Sequence, residues 1–391
     1  MDKTARFMMD LIANEVCGKV FDGTQELSVP TDAELTRLYK LSKSHDLAHL
    51  VGSALSKNKI PLNAEIKAKF DKQMLLAVYR YEKLQYELNV LREAFNAQEI
   101  VFIPLKGSVI RAYYPEPWMR TSCDIDILVD EAEVDRAADI LVEKHGYTYE
   151  KKSYHDISLM SPGGVHLELH HNLKENKENI DALLSEYRAY IVPENGYEYR
   201  FCNEFFLFHQ FAHAFYHFLE GGCGVRPFLD IYLLEEKLTF DRAKLEEMLK
   251  QTGIEKFAAV VSDLAAVWFG DREHDDLTRQ TEKFILSGGV YGNTENAVSV
   301  SQQTDNGRLG HILRRLWMPY DMLCVSYPKL KGKRALQPFY EVKRWFKWLD
   351  PNVRKRTNND LEKIKSLTSG KKEEVNRLLA DLEILSFAAK Q

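Results

Sequence analysis

Apolar positions along the chain recur with two different periods, and the changes of period divide it into three zones. Over residues 1–97, Leu35, Leu38, Leu47, Leu50, Val51 and Leu55 follow helix-like intervals behind Thr31-Asp32-Ala33-Glu34, which has the form of a capping box. A second long helical pattern runs from Ala64 to Asn96. Near residue 100 the period changes: Ile100-Val101-Phe102-Ile103-Pro104-Leu105 is a short apolar run, and Lys106-Gly107-Ser108 ends it in a turn. Asp124 to Val129 alternates as a strand does, Glu131 to His145 reads as a helix stopped by Gly146, and Asp156–Met160 and Val165–His171 are strand candidates around the turn signal Pro162-Gly163-Gly164. From Asn203 to Phe387 the spacing is helical again, broken near Gly221–Gly224, Gly288–Gly292 and Pro328–Gly332, and the polar run from Asn293 to Gly307 reads as an exposed loop. The prediction is an α+β fold in three parts: an N-terminal helical region over 1–97, a small mixed-sheet domain over 98–200 and a C-terminal helical domain over 201–391.

Composition sharpens this picture at three points. The 391 residues are 45% apolar and 28% charged, ordinary globular usage that excludes a low-complexity or disordered chain. Apolar runs stay short of the roughly 18 residues a membrane span requires, and Asp2, Asp10 and Glu15 interrupt the start where a leader would be apolar, so a cytoplasmic protein without a membrane partner is expected. The five cysteines are odd in number and form no C-x-x-C pair, which predicts reduced thiols rather than a disulfide framework or a cysteine zinc site. The net charge of −5 conceals an asymmetry, because Arg308 to Arg356 holds thirteen Lys or Arg against three acids, interleaved with Trp317, Tyr320, Tyr327, Phe339, Tyr340, Trp345, Phe346 and Trp348. Such a segment could attract a nucleic-acid partner, but the stronger reading is a helical core with a basic wet face.

Candidate chemistry concentrates in the mixed-sheet zone. Asp124 and Asp126 stand two apart on a strand, so both carboxylates project from one face while Ile125 and Ile127 project from the other. Paired carboxylates repel unless a cation lies between them, and their hard oxygens suit Mg²⁺; alternating acids also describe any half-exposed strand. Gly107-Ser108 follows a strand and precedes a short helical stretch, a setting for the terminal phosphates of a nucleotide with Lys106 and Arg120 nearby, or for a serine that merely caps. His166, Glu168 and His170 share one strand face, where Glu168 supplies a third carboxylate as metal ligand or proton acceptor. His209, His213 and His217 share one helix face; they read as packed histidines or cleft-lining donors, since no H-E-x-x-H or cysteine pair accompanies them. Arg226 and Asp230 stand one helical turn apart and suggest an i, i+4 pair, either a structural clamp or part of a pocket.

Together these residues resemble the nucleotidyltransferase superfamily that includes DNA polymerase β and the aminoglycoside nucleotidyltransferases. There a strand and Gly-Ser precede a strand with two acids around one apolar residue, and a later strand adds another acid. LKGSVIRAYYPEPWMRTSCDIDILV with the later VHLELHHNL is more closely similar to a family of uncharacterised bacterial nucleotidyltransferase-like proteins in which Leu-Lys-Gly precedes Arg-x-x-x-Asp-Ile-Asp. Here those residues are Leu105-Lys106-Gly107 and Arg120 with Asp124-Ile125-Asp126. The likeness covers roughly residues 98 to 172 and continues to about residue 300 through GVRPFLDIYLL and SGGVYG, with a longer spacer from Ser108 to Asp124 than the common pattern.

The resemblance implies a polymerase β-like mixed-sheet domain that transfers a nucleoside monophosphate from a nucleoside triphosphate (NTP) to a hydroxyl acceptor and releases pyrophosphate. It further implies Asp124, Asp126 and Glu168 as catalytic ligands of two Mg²⁺ ions, and Lys106, Gly107, Ser108 and Arg120 as nucleotide-binding residues. His166, His170, His213, His217, Arg226 and Asp230 are implied as candidate pocket residues. The acceptor is a small molecule, a protein or an RNA, the last through 308–356. Two other readings stand beside this one: a catalytically inactive nucleotide- or RNA-binding protein on the same fold, and a metal-dependent phosphoester hydrolase using His166, Glu168 and His170.

Overall fold

Local signals begin and end the helices where the sequence places them. In the computed structural model, residues 2–21, 30–175, 177–290, 292–301, 332–345 and 369–389 are described, together with Trp317, Tyr320, Leu323, Tyr327 and Leu330. After α1 (Lys3–Cys17), the Thr31 hydroxyl accepts from the Glu34 amide while the Glu34 carboxylate accepts from Thr31, a reciprocal capping box that opens α2 (Asp32–Ser44). Helix α3 (Ala48–Lys57) follows, and Asn63 caps α4, a 34-residue helix over Ala64–Ala97. The predicted apolar positions Leu35, Leu38, Leu47, Leu50, Val51 and Leu55 are all buried.

Seven strands form one mixed sheet: β1 (Phe102–Pro104), β2 (Asp124–Val129), β3 (Thr148–Lys152), β4 (Asp156–Met160), β5 (His166–His170), β6 (Ile191–Asn195) and β7 (Glu198–Phe201). Their order is β3-β4-β5-β2-β1-β7-β6, with β2–β5 and β1–β7 parallel and the other pairs antiparallel. Three strands have no counterpart in the sequence reading. All five residues of β3 are exposed, and the β6–β7 hairpin carries Pro193 and exposed polar residues, so neither shows the apolar alternation by which a half-buried strand is read.

Between the strands lie α5 (Gly107–Ile110), α6 (Val134–His145, stopped by Gly146 at φ 71°) and α7 (Glu178–Ser185). Ile125, Ile127, Leu167 and Leu169 pack on one sheet face against Leu84, Leu88, Leu91 and Phe95 of α4 and Ala137 and Leu141 of α6. This arrangement leaves the opposite face of β2 and β5 to their polar residues.

The C-terminal part is helical as expected: α8 (Asn203–Leu219), α9 (Arg226–Lys237), α10 (Arg242–Thr252), α11 (Glu255–Phe269), α12 (Asp276–Leu286), α13 (Thr294–Ser301), α14 (Gln337–Trp345), α15 (Ser369–Asp381) and α16 (Leu385–Ala389). The chain is a helix-framed α+β protein, as its periods predict. One apolar cluster joins Met8, Leu11 and Ile12 of α1 and Leu50 of α3 to Phe208, Phe215 and Phe218 of α8 and to Phe257 and Leu264 of α11.

The loop expected over Asn293–Gly307 is corrected for its first half. Residues 294–301 form α13, and Asn296, Ser299 and Val300 are buried. Asn293 Oδ1 accepts from the Asn296 amide, and Asn296 Nδ2 donates to the Phe284 carbonyl and the Ser287 hydroxyl, so most polar groups that would suit a loop here are paired inside, Asn296 Oδ1 being left without a partner among the described residues. Residues 302–307, like most of the basic stretch 308–356, lie outside the described residues. Cys17, Cys123, Cys202 and Cys223 are free thiols; Cys324 lies outside the described residues. No described helix is long and apolar enough to cross a membrane.

Candidate active site

The polar face of the sheet is assembled by strand register. Parallel pairing sets Asp124 opposite His166, Asp126 opposite Glu168 and Leu128 opposite His170. Because side chains alternate, both aspartates, Glu168 and the two histidines emerge on the same side. Donor atoms of Asp124, His166 and Glu168 lie within 4.8 Å of one another, as do those of Asp126, Glu168 and His170, so Glu168 belongs to both sets. The structure therefore brings the three acids together across two strands, with an imidazole beside each aspartate.

Their charges are strongly coupled. Burial raises the Asp124 carboxyl above its ordinary range, and the neighbouring Asp126 charge raises it further. Burial alone would raise Asp126 too, yet Lys106 and His170 hold it well below the usual carboxylate range. Lys106 Nζ lies 3.3 Å from Asp126 Oδ1 and His170 Nε2 lies 2.9 Å from the same oxygen. His170 Nε2 is also 3.5 Å from Glu168 Oε2, and despite its burial these acids push the imidazole up to about 9. A raised Asp124 carboxyl beside a second acid is a site that a divalent cation would relieve, and the hard oxygens of Asp124, Asp126 and Glu168 fit Mg²⁺ or Mn²⁺.

Lys106 reaches Asp126 because the turn after β1 is unusual. Its backbone sits at φ 44° and ψ −120°, a conformation rare outside glycine, and the neighbouring Leu105 amide is fixed to the Asp126 carbonyl at 2.9 Å. Gly107 follows because space is short there: a Cβ would meet Ser122 Cβ at 3.1 Å and Ser122 Oγ at 3.2 Å. The long spacer from Ser108 to Asp124 is thus folded back, through two short 3₁₀ turns at Arg111–Tyr113 and Pro117–Met119, until Ser122 rests on Gly107. Arg111 ties the two together, donating to the Gly107 carbonyl at 2.7 Å and to Ser122 Oγ at 3.2 Å. Ser108 does not cap its helix, which spans four residues; its buried Oγ has no hydrogen-bond partner among the described residues.

Arg120, Arg226 and Asp230 are brought near this turn, in a pairing that differs from the expected one. Asp230 accepts from Arg120 Nε at 2.8 and 2.9 Å and from the Tyr114 hydroxyl at 2.7 Å. Arg226 instead donates to Asp46 Oδ2 at 3.0 Å and to the Thr121 carbonyl at 2.9 Å. The i, i+4 pair is therefore absent: Asp230 is held by the 114–120 segment, and Arg226 by Thr121 and by Asp46 in the turn between α2 and α3.

Helix α8 lies across the polar sheet face. His213 and His217 line two adjoining clefts of about 150 and 110 Å³, Lys106 borders both, and the buried His209 reaches the larger one only. The larger cleft is lined further by Tyr154, His155, Glu168, His170 and Glu175; the smaller by Arg120, Arg226 and Asp230. The sequence reading missed Glu175, His155 and Tyr154. They sit in turns at the ends of β4 and β5, where no period marks a side chain's direction.

Residues 31–270 match the model of a family described as uncharacterised nucleotidyltransferase. The chain belongs to that family. No curated protein and no solved structure matches it. The matched stretch of this nucleotidyltransferase takes in the whole polar sheet face, the Lys106–Ser108 turn and α8 with both clefts.

Proposed function

We propose that this nucleotidyltransferase moves a nucleoside monophosphate from an NTP to a hydroxyl acceptor, with divalent metal ions at Asp124, Asp126 and Glu168. The observation that carries the reading is the juxtaposition of these three carboxylates, from two parallel strands in register, beside Lys106, with Glu168 and Lys106 lining the larger cleft. Two Mg²⁺ ions bound there would neutralise developing charge on the attacking and leaving oxygens. Lys106, held among four acids, offsets remaining phosphate charge, whereas the Ser108 hydroxyl is buried and lines neither cleft. Arg120, fixed by Asp230, whose carboxylate Tyr114 also holds, lines the smaller cleft without having to be ordered on binding. The acceptor oxygen attacks the α-phosphorus, a new P–O bond forms, the bond to the β-phosphate bridge breaks and pyrophosphate leaves.

Thermal stability with ATP, GTP, CTP and UTP, each with and without Mg²⁺, tests this reading. A triphosphate at about 100 times its dissociation constant stabilises the fold by roughly 2.7 kcal/mol. The expected result is a Mg²⁺-dependent rise in melting temperature that Asp124→Ala/Asp126→Ala abolishes. No rise with any triphosphate would overturn it.

One observation favours a second reading, metal-dependent phosphoester hydrolysis: an imidazole, His166 or His170, accompanies each pair of acids. That reaction would prefer Mn²⁺ or Zn²⁺ and would leave the melting temperature indifferent to triphosphates.

A further inference from the structure

Beside the acids runs a chain of hydrogen bonds that the metal-centred reading does not use. Glu175 Oε1 lies 2.9 Å from His213 Nδ1, and His213 Nε2 lies 3.1 Å from His217 Nε2. The three side chains line the larger cleft together with Glu168 and His170, and His213 is close enough to Asp126 and Lys106 to be influenced by both charges. If the Glu175 carboxylate accepts from His213 Nδ1–H, His213 Nε2 carries a lone pair and must accept from His217 Nε2–H. The outermost nitrogen, His217 Nδ1, is then left with a lone pair and no protein partner among the described residues.

We propose that Glu175, His213 and His217 form a proton relay that receives the proton of the acceptor hydroxyl, and that the larger cleft is the acceptor's binding place. The proposal rests on the transfer reading above. As the acceptor oxygen bonds to the α-phosphorus and pyrophosphate departs, the hydroxyl proton passes to His217 Nδ1. The proton on His217 Nε2 passes to His213 Nε2, and the proton on His213 Nδ1 passes to Glu175. Each ring ends neutral in its other tautomer, Glu175 ends as the carboxylic acid, and no charge is left on the buried imidazoles.

The terminal position of Glu175 has a physical reason. Burial, with the neighbouring His213, pushes His217 down to about 3, so alone it would be a feeble base at neutral pH. Burial pushes Glu175 the other way, to about 7, where a group accepts and returns a proton with equal ease. The relay joins a ring that touches the cleft to a carboxylate poised to hold the proton. The charged and titratable groups facing it from the other elements are Lys106 after β1, Arg120 before β2, Asp126 on β2, His155 before β4, His170 on β5 and Arg226 on α9.

Turnover with water as the acceptor tests the relay in the full chain. Mg²⁺ and each of ATP, GTP, CTP and UTP are supplied, and nucleoside monophosphate and pyrophosphate are counted. Glu175→Gln preserves size and the ability to accept from His213 but cannot take the proton; His217→Asn removes the ring that faces the cleft. Both are expected to lower kcat about 10²- to 10⁴-fold while the KM for triphosphate and the melting temperature stay near those of the unmodified protein. A kcat unchanged in Glu175→Gln would overturn the relay alone. So would a raised KM at constant kcat, which would make these residues part of the nucleotide site, or a kcat loss matched by a lowered melting temperature. No monophosphate from the unmodified protein, although a triphosphate with Mg²⁺ raises its melting temperature, would overturn the relay, because a base open to the cleft activates water as well; only the absence of that rise would overturn the transfer reading.

Discussion

Arg120 and Asp230, 110 residues apart, are joined by a guanidinium Nε lying 2.8 and 2.9 Å from the two carboxylate oxygens. Both side chains are nearly buried, at 11% and 6% exposure, and the pair fastens the segment before β2 to α9. Asp230→Ala would strand a buried guanidinium and leave the Tyr114 hydroxyl without its acceptor. A loss of about 3–5 kcal/mol is expected, the usual result of removing one member of a buried pair. Urea denaturation measures it, and a loss below about 1 kcal/mol would show that Arg120 turns to solvent instead.

Glu168 is shared by both donor sets, whereas Asp124 belongs to one. Calorimetric titration with Mn²⁺ should therefore distinguish Glu168→Gln from Asp124→Asn. The first is expected to weaken every cation site together, the second to leave the set of Asp126, Glu168 and His170 intact. Equal effects of the two substitutions would contradict the shared position of Glu168.

Acidification should destabilise the fold before the carboxylates titrate. Burial depresses His45 and His49 to about 4 and His217 to about 3, against 6.5 for the free side chain. Between those values and 6.5 the unfolded chain binds protons that the folded one refuses, so these contributions are complete above pH 6.5 and are lost as pH falls toward 4. Each shift corresponds to roughly 3–5 kcal/mol. Glu175, raised to about 7, opposes the trend over part of the same interval, but three histidines outweigh one carboxyl. The urea midpoint is expected to fall steadily from pH 7 to pH 5, less steeply in His45→Asn; a flat profile would show that these rings gain protons without unfolding.

Two glycines predict different costs on substitution by alanine. Gly221 sits at φ 115°, and a Cβ there would meet the Ala297 amide nitrogen at 2.8 Å and the Asn293 carbonyl oxygen at 2.9 Å. Gly18, at φ 72°, has nothing within 4 Å of the same position. Gly18→Ala should cost about 1 kcal/mol for the backbone alone, and Gly221→Ala roughly 2–4 kcal/mol as the start of α13 is pushed away. Equal melting temperatures for the two variants would refute the close approach.

Much of this arrangement was legible from short-range pattern. The alternation of Asp124-Ile125-Asp126-Ile127 assigned carboxylates and core to opposite faces, and Thr31 with Glu34 marked a helix start, because both signals depend on residues within one element. The strands β3, β6 and β7 were not legible, since their pairing is supplied by neighbours rather than by an apolar face of their own. The polar stretch from Asn293 reads as a loop for a related reason: the Asn296 amide group donates to the Phe284 carbonyl of α12 and to the Ser287 hydroxyl just after it, which composition does not display.

The sequence alone determined which chemical groups the protein possesses and on which face of each strand or helix they stand, for periodicity is a property of the local backbone. Tertiary structure decided which groups meet. Asp46 and Arg226 are 180 residues apart and Glu175 and His213 are 38 apart. Helix α8 could carry its histidines on one face by spacing alone, but only its placement across β2 and β5 sets them beside Lys106 and Glu168, because burial and charge act through distances that no interval along the chain encodes.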